Sequence, residues 1–416
     1  MPLIHLIFRL RYLFICVALL PLGMPEAASQ GINFLPTEFT KLITQAKQQN
    51  KLAFVEIYLK GCTHCEALAP VLEEKQVGDY YNTTFVNMKM EANSAMARSL
   101  QEKKKLYFPE FPLLLYFDGN GELLHQTTPM HKPTRAENIQ DIINEGKKAG
   151  DPAQRTSGYP ARFAKGDRDP IFLIDYGKYT RTIRDTTQQL KINEELAKIF
   201  KDPINSESPS GFYVLSRLIN DFQNPMAQYF FTHLDTYKTK FGEKETQQVG
   251  ENILYQTLYG IRKSELPSTE VIAIRNAMVS LGLEVNMAEN RTILKELESF
   301  FRENATDKAT SRFSEYRSTR ALSLIDYAYI MRYFNQQAPD HSYASELVGW
   351  INQVLQQIKP ADQNRGEVAE LYRELSEGYL RIGNREEGKK AAEKALAIAK
   401  TAQEKLDTYE RQLGKF

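Results

Sequence analysis

The stretch Leu52-Ala-Phe-Val-Glu-Ile-Tyr-Leu-Lys-Gly-Cys62-Thr-His-Cys65-Glu-Ala-Leu-Ala-Pro70 constrains this chain more than any other. Its first half is apolar, β-branched and aromatic, the pattern of a buried strand. Gly61 ends that run, and two cysteines separated by two residues open a helix. A cysteine at a helix start faces unpaired backbone N–H groups and the positive end of the helix dipole, which together stabilise a thiolate. Cys62 is therefore the expected nucleophile. Cys65, one helical turn further in, is placed to attack a mixed disulfide formed on Cys62 and is the expected resolving thiol.

The rest of the cysteine count supports a redox pair. Residues 1–29 carry Arg9 and Arg11, an apolar stretch Tyr12–Met24 and the tail Pro25-Glu-Ala-Ala-Ser29, the layout of a secretory signal peptide cleaved after Ser29. About thirteen apolar residues fall short of the roughly twenty that span a membrane, although an uncleaved anchor remains the alternative. Cys16 follows Ile15 and not a small residue, which speaks against a lipoprotein signal. Cleavage leaves Cys62 and Cys65 as the only cysteines of an exported chain. A structural disulfide is the bland alternative, but closing so short a loop restricts the unfolded chain little. Half of a zinc site is another; no further cysteine remains, and neither His125 nor His131 has ligand spacing. No metal and no cofactor is expected.

Three further features surround the pair. Glu56 lies inside the strand, Pro70 lies inside the helix, and Phe111-Pro112 precedes the apolar run Leu113–Phe117 and the turn Asp118-Gly-Asn-Gly121. On these residues the region Lys51–Gln126 resembles a thioredoxin domain, and its Val-Glu-Ile-Tyr…Cys-x-His-Cys…Leu-Ala-Pro string is similar to protein disulfide isomerase active-site domains. The resemblance implies that Glu56 relays a proton to and from Cys65, that Pro70 kinks the helix, and that Pro112 is a cis-proline beside the disulfide. It also implies that the backbone of Phe111 pairs with an extended substrate. Gly61 stands where the family usually has tryptophan, leaving the rim of the substrate contact, Gly61 and Thr63, less apolar. Thr63-His64 stands where reductases have Gly-Pro. His64 can favour the Cys62 thiolate by hydrogen bond or charge, which makes the disulfide more oxidising; similar proteins with His there are isomerases and periplasmic oxidases. The alternatives are a surface charge at Glu56, an ordinary trans Pro112 and a merely solvated His64. Lys89 and Lys60 both qualify as the cation beside Glu56.

Around this stretch the pattern predicts an α/β thioredoxin-like domain over residues 30–147. An amphipathic helix carries Phe39, Leu42, Ile43 and Ala46; then follow the strand, the active-site helix, a strand Thr84–Met90, a helix Ser94–Lys105, a hairpin, and a helix Thr134–Lys147. Residues 148–170 hold three glycines and three prolines with little apolar periodicity and read as a linker. Residues 171–416 show helical spacing nearly throughout, including Ile171–Leu190, Met226–Phe241, Thr319–Phe334 and a last helix Thr401–Leu413, which predicts an all-α helical-repeat domain. Tyr372, Leu375, Ser376, Tyr379, Gly388, Ala392 and Ala395, with a turn at Gly383-Asn384, fall at the spacings of a tetratricopeptide-like repeat over about 367–400. The aromatics around Phe230 and Phe334, and Trp350, read as packing, with a peptide-binding surface as the alternative.

With 42% apolar residues over 416 positions there is material for two or three cores. Loss of residues 1–29 takes the formal net charge from +1 to zero, so nothing in the balance points to nucleic acid or an anionic membrane. The expected protein is a periplasmic or secreted thiol–disulfide oxidoreductase, leaning to oxidase or isomerase. Its expected partners are client proteins with thiols or disulfides and a redox partner protein, with membrane contact only through an uncleaved signal. A non-catalytic adaptor and a dedicated periplasmic reductase are the rival classes.

Overall fold

In the computed structural model, which describes residues 31–416, the buried run Leu52–Tyr58 forms β1, the strand on which the first unit is built. The signal peptide, Cys16 and the Ser29 cleavage site lie outside the described residues. Helix α1 (Phe39–Gln48) precedes β1, and α2 (Thr63–Leu72), α3 (Lys75–Thr84), β2 (Phe85–Glu91), α4 (Ala95–Lys104), β3 (Leu113–Phe117), β4 (Leu123–Thr127) and α5 (Arg135–Gly150) follow. The sheet order is β2-β1-β3-β4, with β1 parallel to β2 and antiparallel to β3. Strand alternation divides β1 between two cores. Ala53, Val55 and Ile57 pack with Leu42 and Ala46 of α1 and with Ala97 and Leu100 of α4. Phe54 packs on the other face with Leu68 and Leu72 of α2, Val77 and Tyr81 of α3 and Ile142 of α5. Burying each large apolar side chain contributes about 1.5–3 kcal/mol. The phenols in this core are satisfied, since Tyr81 and Tyr116 share a 2.7 Å hydrogen bond and Tyr81 donates to the Ile142 carbonyl at 2.8 Å.

The hairpin turn is held by Asp118, whose carboxylate accepts the Asn120 and Glu122 amides at 2.9 and 2.8 Å. Helix α3 is an addition to the expected order. Its apolar anchors are few, Val77 and Tyr81, and Gly78 interrupts the pattern; that glycine is needed because a Cβ there would stand 2.2 Å from the Gly31 carbonyl oxygen.

The stretch 148–170 corrects the expected linker. It finishes α5, makes a short 3₁₀ turn at Thr156–Gly158 and α6 (Tyr159–Ala164), and leads into α7 (Pro170–Thr182). Pro160 and Pro170 sit in the first turns of their helices, where a missing N–H costs nothing, and Asp169 caps α7 by accepting the Phe172 amide at 2.9 Å. This extension lies on β4. Gln126 N–H donates to Thr156 Oγ1 at 3.1 Å, Thr156 N–H donates to His125 Nδ1 at 3.2 Å, and Thr182 Oγ1 donates to Gln126 Oε1 at 3.0 Å. With Nδ1 accepting, His125 Nε2 donates to Glu145, 3.1 Å away, so this buried histidine is fully partnered. The chain divides into its two units between Gln189 and Leu190, later than 148–170.

The second unit is helical, without a strand among its described residues. The expected helix Met226–Phe241 is two helices, Pro225–Thr232 and Leu234–Phe241, broken at His233. The expected Thr319–Phe334 starts later and runs further, as Leu324–Gln337, Thr306–Ser318 is an additional helix before it, and the last helix is shortened to Asp407–Leu413. Trp350 packs against Phe313 and Phe334 with ring centroids 4.9 and 5.6 Å apart, so these aromatics are core; Tyr329 is exposed. Gly366–Arg381 and Arg385–Thr401 form a helical hairpin whose turn uses Gly383 at φ +82° and an Asn384 cap on the Glu387 amide. Ser376, Ala392 and Ala395 are buried in it, and at Gly388 a Cβ would come 3.3 Å from the Ser376 carbonyl oxygen.

Candidate functional site

The end of β1 delivers Cys62 through a backbone turn that requires glycine. Gly61 has φ +78°, which strains any side chain, while no neighbouring atom would crowd a Cβ there. A tryptophan at this position would meet that backbone cost. Cys62 is the N-cap of α2, and its sulfur accepts the Cys65 N–H at 3.4 Å, doing what a serine or aspartate oxygen does at other helix starts. Thr63 is the exposed first residue of the helix.

Across from α2 stands the loop that enters β3. The Phe111–Pro112 peptide bond is cis, and the Cys62 thiol donates to the Phe111 carbonyl at 3.7 Å. The structure thus brings Cys62, Cys65, Phe111 and Pro112 together. Both cysteines are free; Cys62 is half-buried and Cys65 is buried. Burial pushes the Cys65 thiol up to about 12, and the hydrogen bond with Cys62 and the charges of Cys62 and Glu56 add to it. Such a thiol attacks only when a base takes its proton.

Glu56 is completely buried on the face of β1 that carries Phe54, the face covered by α2. It is not a surface charge. Burial raises its carboxyl above the ordinary acidic range, and Lys89 pulls it back down. The strand register settles which lysine this is: Lys89 pairs with Glu56 across β1 and β2, and its Nζ lies 3.4 Å from Oε2. The ammonium also sits 4.8 Å from the centre of the Tyr58 ring. Neither carboxylate oxygen completes a hydrogen bond among the described residues. A carboxyl raised in this way holds its proton more firmly than an exposed one.

His64 is exposed on the first turn of α2, beside a shallow depression lined by Met130, His131 and Asp141. The hydrogen-bond partners of the Cys62 sulfur among the described residues are Phe111 and Cys65, and His64 is not one of them. Among the described residues no group of three or more His, Cys, Asp or Glu is arranged to hold a metal ion. Sequence reasoning missed the residues that hold the Phe111 loop from behind. Tyr107 N–H donates to the Thr182 carbonyl at 2.8 Å, and Arg181 lies 3.8 Å from Glu110. More than seventy positions separate these partners, and no local pattern announces them.

No family model and no curated protein matches the chain. Among solved structures it is similar to a candidate disulphide-isomerase from Bacteroides thetaiotaomicron, at 24% identity over 30% of this chain and 96% of that one, with a TM-score of 0.25. It is also similar to a disulphide isomerase from Xylella fastidiosa Temecula1, at 17% identity over 29% of this chain and 98% of that one, with a TM-score of 0.23. By its own strand order, its helices on both sheet faces and the helix that Cys62 caps, the first unit has a thioredoxin-like fold, and an all-helical unit follows it.

Proposed function

We propose that this chain is an exported thiol–disulfide oxidoreductase acting on client proteins in the periplasm or outside the cell. The observation that carries the proposal is the half-buried Cys62 sulfur, held by the Cys65 amide and facing the Phe111 carbonyl, above a buried Cys65 thiol and Glu56. In the reducing direction the Cys62 thiolate attacks one sulfur of a client disulfide and expels the other as a thiolate, which takes a proton. Glu56 accepts the Cys65 proton as Cys65 attacks the Cys62 sulfur. The Cys62–Cys65 disulfide forms, the second client sulfur leaves, and two electrons have passed to the client. Run backwards, the same steps oxidise a client dithiol; if a client thiol resolves the mixed disulfide instead, the client is isomerised. Phe111 and Pro112 would receive an extended client strand between Gly61 and the cysteines. The position of His64 between the cysteines tilts the proposal toward oxidation and isomerisation, the activities of the similar proteins that carry histidine there.

The helical unit has one feature suited to a binding role. A cavity of about 420 Å³ is lined by Leu254, Leu258, Met278 and Leu281 and edged by the exposed Tyr255 and Tyr259. That surface favours the second reading, an adaptor that binds partners without redox chemistry.

Insulin reduction and reactivation of scrambled ribonuclease, measured on the wild type and on Cys62→Ser, separate the readings. Wild type is expected to catalyse both, with reactivation the stronger, and Cys62→Ser to fall to background. Equal behaviour of the two proteins leaves only the adaptor, and insulin reduction without reactivation marks a dedicated reductase. Cys65→Ala is expected to accumulate mixed disulfides through Cys62, which identifies the clients.

A further inference from the structure

The loop that presents Phe111 is not left to its own stiffness. It runs from the left-handed Lys105, φ +54°, to Pro112, and Leu106 and Phe108 bury into the core on the α1 and α4 side of the sheet. Two more of its positions are held by the end of α7. Thr182 is the last residue of that helix, so its carbonyl has no partner within the helix and carries part of the negative end of the dipole; it accepts the Tyr107 N–H at 2.8 Å. Arg181, in the same turn, faces the largely buried Glu110 at 3.8 Å, one residue before Phe111. The end of α7 is in turn fixed to the sheet, for the fully buried Thr182 donates its hydroxyl to Gln126 on β4 and Ile183 packs against the same core as Leu106.

We propose that Arg181 and Thr182 are positioning residues: they fix where the Phe111 carbonyl stands relative to Cys62, and with it the register in which an extended client strand meets the sulfur. The inference rests on the proposed exchange reaction. A loop that must order itself when a client arrives gives up conformational entropy at that moment, and one already held does not. The contribution therefore falls on client binding. The sulfur keeps the Cys65 amide and the helix start whatever Arg181 does; the one partner that moves with the loop is the Phe111 carbonyl, which accepts from the protonated thiol.

The test uses the full chain and a synthetic peptide with one intramolecular disulfide, with dithiothreitol as the reductant. Arg181→Ala is expected to raise KM about fivefold while kcat stays within about twofold, the pattern of lost substrate positioning. Arg181→Lys, which keeps the charge, is expected to retain most of the wild-type KM. Cys62 alkylation by iodoacetamide, which involves no client strand, is expected not to slow in either variant, because a loosened Phe111 carbonyl removes only a bond that favours the protonated thiol. Should Arg181→Ala fail to fold, Glu110→Gln keeps the shape, removes the charge and is read in the same way. An unchanged KM with a lowered thermal midpoint reduces the pair to a structural contact and overturns the inference, as does a parallel fall in kcat and alkylation rate. A wild type that performs no exchange overturns the proposed reaction itself, an outcome distinct from a variant that matches an active wild type.

Discussion

Glu56 is the residue whose surroundings most limit what it can be. It stands in the middle of a strand with no exposure, one cation beside it and no completed hydrogen bond, so its ionised form is the disfavoured one. Because its folded value is raised, the stability that the neutral carboxyl contributes is complete at acid pH and is lost as pH rises through that raised value. Glu56→Gln cannot ionise. The variant is expected to match the wild type in stability under acid conditions and to exceed it by a margin that grows as pH rises from the ordinary carboxyl value through the raised one and then levels off, as read by urea denaturation across pH. Without the base, release of the mixed disulfide by Cys65 is expected to slow by roughly 10- to 100-fold in single-turnover measurements. A margin that shrinks toward alkaline pH would show that Lys89 outweighs burial. At this scale the sequence was legible wherever the signal was local: Cys62, Cys65, Glu56 and Pro112 all sit in short strings. Lys89 against Lys60 was not decidable, because a shift of one residue in strand register exchanges the faces.

At the scale of elements, the strands and the helices flanking them were readable from alternation and apolar spacing. The failures share a cause. Pro152, Pro160 and Pro170 and the glycines among them read as breaks in the sequence, whereas Pro160 and Pro170 start helices, and only the packing on β4 distinguishes the two uses. Helix α3 went unseen because its apolar face is two residues wide. The extension also offers a direct check on how firmly it is joined to the sheet. Thr156 is buried, accepts the Gln126 N–H through its hydroxyl and gives its own N–H to His125. Thr156→Val keeps the shape but leaves the Gln126 amide without its acceptor, and is expected to cost about 1–2 kcal/mol in urea denaturation. A cost near zero would mean that solvent reaches that amide and that the contact holds nothing.

On the scale of the whole molecule, each unit has its own core and its own reporter. The single tryptophan, Trp350, is buried against Phe313 in the helical unit, whereas the cysteines belong to the sheet unit. Phe313→Ala empties a space beside the indole and is expected to lower stability by about 3–5 kcal/mol in the transition seen by tryptophan fluorescence. A shift under about 1 kcal/mol would show that the surrounding helices collapse into the gap. The sheet also has a property that bears on a protein proposed to meet unfolded chains. Its two outer strands are already in contact with the chain's own segments: on one side Leu35 donates to the Asn87 carbonyl and Phe34 bridges Asn87, and on the other Thr156 and Thr182 bond to Gln126. The Asn87 carbonyl on one rim and the Gln126 amide on the other are thus already taken, two fewer backbone groups at which a foreign strand could add itself to the sheet.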